Sequence, residues 1–152
     1  MFPKLVKEIR SKAGELHFRR WRIVETPILR IYIHHILKAD EDLHAHSHPW
    51  SFFSLVLNGG YWENIVGARI HRLPGSVVHR HANDFHKVDA IDATVAPQQG
   101  CWTLVVAYGR RQEWGYKVDG IRDGYDFMQH EEYRTAKNSG TLKGADGKAI
   151  SN

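Results

Sequence analysis

The feature that most constrains this chain is a succession of short runs rich in β-branched and aromatic residues, cut at close intervals by tight-turn signals. Ile28 to Leu37 is the first run, and Phe52 to Leu57 is closed by Asn58-Gly59-Gly60. Tyr61 to Val66 reads as the returning partner of that strand across a hairpin. Arg69 to Leu73 turns at Pro74-Gly75 into Ser76 to His81, and Ala82-Asn83-Asp84 leads to Phe85 to Val88. Trp102 to Tyr108 and Trp114 to Val118 complete the series. Strands of this length and spacing predict an all-β sandwich or barrel. Two helical segments are expected outside it. Pro3 to Ala13 places Leu5, Val6 and Ile9 on one side with Gly14 as a stop, and Asp123 to Tyr133 suits a small helix. From Arg134 to Asn152 the chain turns small and polar, so residues 1–133 read as one domain and 134–152 as a flexible tail.

Composition narrows the function classes. A chain of 152 residues with 42% apolar content can bury a core as one domain. No apolar stretch approaches a membrane span, and the start Met1-Phe2-Pro3-Lys4 lacks the apolar core of a signal peptide. The single Cys101 rules out an internal disulfide framework and fits a reducing cytoplasm; beside Trp102 it reads as a buried core thiol. The net charge of +4 is spread over Arg19-Arg20 with Arg22, Arg110-Arg111 and the C-terminal lysines. That pattern reads as solvated surface rather than a nucleic-acid face.

The chemistry concentrates in histidine. Seven of eleven histidines lie between His44 and His86, and His44-Ala45-His46-Ser47-His48 alternates. In an extended strand such residues share a face, and neutral imidazole is a common ligand for transition metals. His79 and His81 also share a face, where a solvated or hydrogen-bonded role is the default.

The spacing around these histidines resembles the cupin superfamily. Its first motif, G-x5-H-x-H-x3-4-E-x6-G, is met by His46 and His48 and closed by Gly59 or Gly60. Its second, G-x5-P-x-G-x2-H-x3-N, counted from Gly75, puts Asn83 at the second glycine and His86 at the histidine. A register with His79 in that place is the alternative. The pattern departs at Asp40 for the leading glycine, at Phe52 and Phe53 for the glutamate, at His81 for the proline and at Ala90 for the asparagine. His48-Pro49-Trp50, Gly59-Gly60-Tyr61-Trp62-Glu63, Trp102-Thr103-Leu104 and Trp114-Gly115-Tyr116 also look like small cupin-like proteins encoded by bacteriophages.

The resemblance implies a jelly-roll β-barrel and a divalent metal held by His46, His48 and His86, with Fe(II) favoured and Zn, Ni, Mn or Co as alternatives. His44 falls outside the motif and is expected at the cavity mouth or exposed. Glu63 could restore the missing carboxylate as a ligand or act as acid or base, against a plain hairpin ion pair. Tyr61 is a second candidate catalytic group, and Trp50 and Trp102 could line a cavity, with core packing as the default for all three aromatics. Arg110 and Arg111 could meet an anionic substrate. The implied activity is an Fe(II) dioxygenase-like reaction on a small molecule. A cupin-type isomerase or epimerase, or a non-catalytic module binding a small anionic metabolite or nucleotide, is the alternative. Dimerisation through an unpaired strand at Ile28 to Leu37 is a further expectation.

Overall fold

The structure is a computed structural model that describes residues 2–11, 13–42, 44–65, 67–95, 100–109, 111–119 and 125–142. Within them the chain forms β1 (Lys4–Arg10), β2 (Leu16–Glu25), β3 (Leu29–Ile36), β4 (Ser51–Asn58), β5 (Tyr61–Ile65), β6 (Ala68–Arg72), β7 (Val77–Arg80), β8 (Lys87–Ile91), β9 (Cys101–Tyr108), β10 (Gly115–Asp119), β11 (Tyr125–Gln129) and α1 (His130–Ser139). A six-stranded sheet runs β1-β2-β3-β9-β4-β7, a three-stranded sheet runs β6-β5-β8, and β10-β11 is a separate hairpin. Every strand pair is antiparallel. The mostly-β expectation holds. The described strands form two sheets and a hairpin, however, and not a closed barrel.

Alternation sets which face is buried. Along β9, Cys101, Thr103, Val105 and Ala107 are buried while the residues between them are partly exposed. Val56 of β4, Tyr61 of β5, Val88 of β8 and Cys101 of β9 share one apolar cluster, with Ile36 and Ile91 against it. Both sheets contribute, so the core lies between them. A second cluster joins Tyr116 and Val118 of β10 to Tyr133 of α1 and Leu142.

Four sequence expectations change. Pro3 to Ala13 is not a helix, because Lys4–Arg10 extends β2 as an exposed edge strand. A short helix there would be marginal alone. Gly14, at φ +85°, closes a hairpin instead, with Gly14 N–H donating to Ser11 C=O at 3.0 Å. Secondly, Asn58-Gly59-Gly60 does not make a hairpin. It carries the chain from β4 in the large sheet to β5 in the small one. Gly59 is needed there, since its φ is +74° and a Cβ would stand 2.2 Å from the Gly100 carbonyl oxygen. Pro74-Gly75 and Ala82-Asn83-Asp84 likewise switch sheets, between β6 and β7 and between β7 and β8. Thirdly, the segment expected as a small helix from Asp123 to Tyr133 is strand from Tyr125 to Gln129, and the helix begins at His130 and runs to Ser139, capped by Gly140 in the left-handed conformation; Asp123 lies outside the described residues. Of the C-terminal stretch, residues 143–152 lie outside the described residues. The strand expected at a free edge, β3, is internal between β2 and β9. No helix among the described residues is long and apolar enough to cross a membrane.

Candidate metal centre

The histidine run is not a regular strand. His46 makes isolated bridges to His86 on one side and Tyr116 on the other. His46 N–H donates to His86 C=O at 2.9 Å, and His86 N–H donates back to His46 C=O at 3.1 Å. Ser47 N–H donates to Gly115 C=O at 2.8 Å, and Gly115 N–H returns a bond to Ser47 Oγ at 3.1 Å. His48 N–H donates to Ala82 C=O at 3.0 Å. The run is therefore threaded between the loop leading into β8 and the start of β10. Ser47 points to β10, and its neighbours on either side point inward.

His46, His48 and His86 come together as the sequence spacing predicts. One ring nitrogen from each lies within 4.8 Å of the others, and the ring centroids are 4.9 to 5.1 Å apart. His48 Nε2 and His86 Nε2 are 2.6 Å apart. His44 is absent from this group. It is not at a mouth or exposed but buried beneath α1, with Nδ1 3.1 Å from the Tyr133 hydroxyl. His79 lies on the opposite face of the large sheet, stacked on Phe53 and 2.6 Å from the Tyr108 hydroxyl. That leaves His86 as the histidine of the second motif to join the cluster.

Glu63 stands behind His86 rather than beside the three imidazoles. It is only 1% exposed. Its Oε1 lies 2.7 Å from His86 Nδ1, and its Oε2 lies 2.9 Å from Arg72 Nε and 2.8 Å from Arg80 Nη2. The Arg72 contact is a well-aligned hydrogen bond, while the His86 and Arg80 contacts are close ion-pair approaches off the hydrogen-bond line. Arg80 ends β7 in the large sheet and Glu63 is in β5 of the small one, so this carboxylate ties the two sheets together. Burial alone would raise the Glu63 carboxyl, but His86 and the two guanidinium groups outweigh it and hold the group at about 2. A carboxylate on Nδ1 fixes the His86 tautomer, leaving the Nε2 lone pair for the cluster. His48 is then the donor in the Nε2···Nε2 contact.

The other two imidazoles are prepared in the same sense. Burial lowers His46 to about 4, with Asp40 opposing and His86 adding to the shift. Burial, then the neighbouring His86 and His46, holds His48 well below its ordinary value. Both are neutral at physiological pH, the form that binds metal. Bonds of about 2.0–2.1 Å to a transition metal bring ligand nitrogens to roughly 3 Å from one another. The three ring nitrogens, within 4.8 Å of one another, stand close to that spacing. The residues fit a metal.

The remaining predicted residues fall elsewhere. Phe52, at the place of the cupin glutamate, packs edge-on against His48 with centroids 4.8 Å apart, and Phe53 faces outward. Tyr61 is in the apolar core, where burial raises its hydroxyl far above the ordinary range. Trp102 lies between Trp21 and His35 on the outer face of the large sheet, and Trp50 covers Arg30 at 4.3 Å. Arg111 is exposed, and Arg110 lies outside the described residues. Cys101 is fully buried, and burial pushes its thiol up to about 12. Arg72 and Arg80 escaped the sequence reading. The signal was present in Arg80, at the end of a strand whose alternate residue Val78 is buried.

No family model matches this chain, and no curated protein matches it. Solved structures do. A mannose-6-phosphate isomerase-like protein from Ralstonia eutropha JMP134 superposes with a TM-score of 0.53 at 19% identity, covering 60% of this chain and 83% of that one. A cupin superfamily protein from Desulfitobacterium hafniense DCB-2 gives a TM-score of 0.47 at 11% identity, over 62% and 78% of the two chains. Fe(II)-HppE with the alternative substrate (S)-1-HPP superposes with a TM-score of 0.52 at 16% identity. That match covers 70% of this chain and 56% of the HppE chain. At these identities the likeness is one of fold.

Proposed function

We propose that this chain is a metal-dependent cupin enzyme acting on a small molecule, with His46, His48 and His86 as ligands and an Fe(II) oxygenase-like reaction as its chemistry. The observation that carries this reading is the set of three imidazoles converging from two distant parts of the chain, His86 buried and His46 and His48 half-buried. Three protein ligands leave coordination positions open, where Fe(II) would supply binding and activation of dioxygen and substrate. Fe(II)-HppE is an example of an iron protein of similar fold.

The protein's own groups do the rest. Glu63 holds the Nδ1 edge of His86 at 2.7 Å, so that Nε2 faces the other two imidazoles. Phe52 places an apolar ring beside His48 where the cupin pattern has a carboxylate, so the site carries less negative charge than a three-histidine, one-glutamate centre. Tyr61, packed in the core, takes no part. Metal analysis of protein purified without chelator tests the reading. About one equivalent in the wild type and a large loss in His46→Ala are expected, and equally low metal in both refutes it. Dioxygen consumption by the iron-loaded protein against a panel of small molecules then separates an oxygenase from a cupin isomerase or a binding module.

A further inference from the structure

The inner face of the large sheet is not apolar throughout. Residues directly opposite in antiparallel strands share a face. The register pairs Lys7 with Arg20, Arg20 with His34, His34 with Thr103, and Thr103 with Val56. Val56 and Thr103 are buried against the core, so this row runs along the inner face from the core to the β1 edge. Its outer part is basic. Arg20 Nε donates to His34 Nε2 at 2.9 Å, and its guanidinium lies over the rings of Tyr32 at 4.9 Å and Phe18 at 5.5 Å.

These contacts hold Arg20 in place without balancing its charge. An imidazole that accepts from Arg20 is neutral on that nitrogen, and no described carboxylate pairs with Arg20. The neighbouring arginines differ. Arg19, one residue away on the outer face, pairs with Glu8 at 2.9 Å, and Arg22 pairs with Glu25. Arg30 also faces inward, but donates to the Pro27 carbonyl at 3.0 Å and stacks on Trp50. Buried charges in proteins are ordinarily paired. Burial holds Arg20 below its ordinary range, and Lys7 at the exposed rim is lowered by partial burial and by the charges of Arg20 and Arg134. Phe52, which packs on His48, lies on the same inner face as Val56, so this basic row and the three-histidine cluster share one side of the large sheet. The Nε edge is taken by His34, while the Nη groups remain to present the paired donors that suit an oxyanion.

We propose that Arg20, with Lys7 at the rim, is a subsite for the carboxylate or phosphoryl group of a small anionic substrate whose reacting end faces His46, His48 and His86. This rests on the metal-enzyme reading for the role of the histidines, but the subsite itself is testable without metal.

The test is thermal melting and titration calorimetry of the metal-free full chain with inorganic phosphate and, separately, with malonate, each against sodium chloride of equal ionic strength. At least one anion is expected to raise the melting midpoint, and which one does so assigns the phosphoryl or carboxylate class. Arg20→Met is expected to weaken that binding by about tenfold or more. Arg20→Lys, which keeps the charge and loses the fork, should weaken it several-fold. Arg19→Met removes the same net charge from the outer face and should leave binding within about twofold. Without anion, Arg20→Met should melt at or above the wild type, because it removes an uncompensated, half-buried charge. Failure of both anions to stabilise the wild type, equal effects of Arg19→Met and Arg20→Met, or an Arg20→Met melting point far below the wild type would each overturn the proposal. Metal content measured in parallel should be unchanged in Arg20→Met, so a failed anion subsite and a failed metal centre give different results.

Discussion

Glu63→Gln isolates the group that joins the two sheets and orients His86. The substitution keeps the shape of the side chain and removes its charge, leaving Arg72 and Arg80 inside without a counter-ion. Two routes give the magnitude. Displacement of the carboxyl from 4.5 to about 2 corresponds to about 3 kcal/mol at neutral pH, at ~1.36 kcal/mol per pH unit. Removing one partner of a buried ion pair costs about 3–5 kcal/mol. For a chain of this size, ~3 kcal/mol lowers the melting midpoint by roughly 6–12 °C. The pH dependence gives a sharper signature. A carboxyl depressed in the folded state stabilises above its unfolded value, and this contribution is lost as pH falls from about 4.5 toward 2. The gap between wild type and Glu63→Gln should therefore be full at pH 7 and close below pH 4.5. Metal affinity should also fall by about 10–100-fold, because His86 loses the carboxylate on Nδ1. Differential scanning calorimetry of the metal-free proteins from pH 7 to 3, with metal titration at pH 7, measures both effects. A midpoint change under about 2 °C at pH 7, or a gap independent of pH, would refute the argument that Glu63 is ionised and held by this network.

Other predictions rest on separate parts of the structure. In the metal-free protein, His46 is lowered in the folded state to about 4 from 6.5. The unfolded chain therefore binds the extra proton first, and stability should fall as pH drops from 6.5 toward 4; His46→Asn should flatten that slope in urea titrations. Gly59→Ala forces a Cβ against the Gly100 carbonyl at 2.2 Å from a backbone at φ +74°. It should cost more than the ~1 kcal/mol of an ordinary glycine replacement at positive φ, read as a lower urea midpoint with an unchanged slope. Tyr133→Ala removes a side chain 1% exposed that stacks on Tyr116 at 3.7 Å and contacts His44. A loss of about 3–5 kcal/mol is expected, with protease cleavage near α1 appearing before global unfolding if α1 is an independent unit of stability.

Much of the candidate centre was legible because it is local. His46 and His48 are two residues apart, and Ser47 between them is committed to Gly115, so alternation alone turns both imidazoles the same way. His86 required a motif count over the 38 positions that separate it from His48, and the structure brings it against His46 through paired backbone bonds. Glu63 was singled out, but its role was not readable. Its position follows from β5 pairing with β8 rather than β4, a choice between two antiparallel partners that the turn at Asn58-Gly59-Gly60 leaves open. Arg20 passed as one of three clustered surface arginines. Only the strand alternation that sends Arg19 outward to Glu8 and Arg20 inward to His34 separates them. The N-terminal segment misled for a related reason. Leu5, Val6 and Ile9 suit one side of a helix, yet hydrogen bonds to the neighbouring β2 outweigh a local preference worth little in so short a piece.

By itself, then, the sequence determined that the chain is mostly β, where most of the strands between Ile28 and Val118 lie, and that two histidines share a side. These are properties of neighbours along the chain, set by side-chain period and by residues that permit or forbid particular backbone angles. Tertiary structure alone decided which sheet each strand joins, that a glutamate from one sheet is shared by a histidine and by arginines from both sheets, and which of two adjacent arginines turns inward to His34. Those outcomes depend on pairing between segments far apart in sequence, where competing antiparallel registers bury similar apolar area and the polar groups that end up inside select among them.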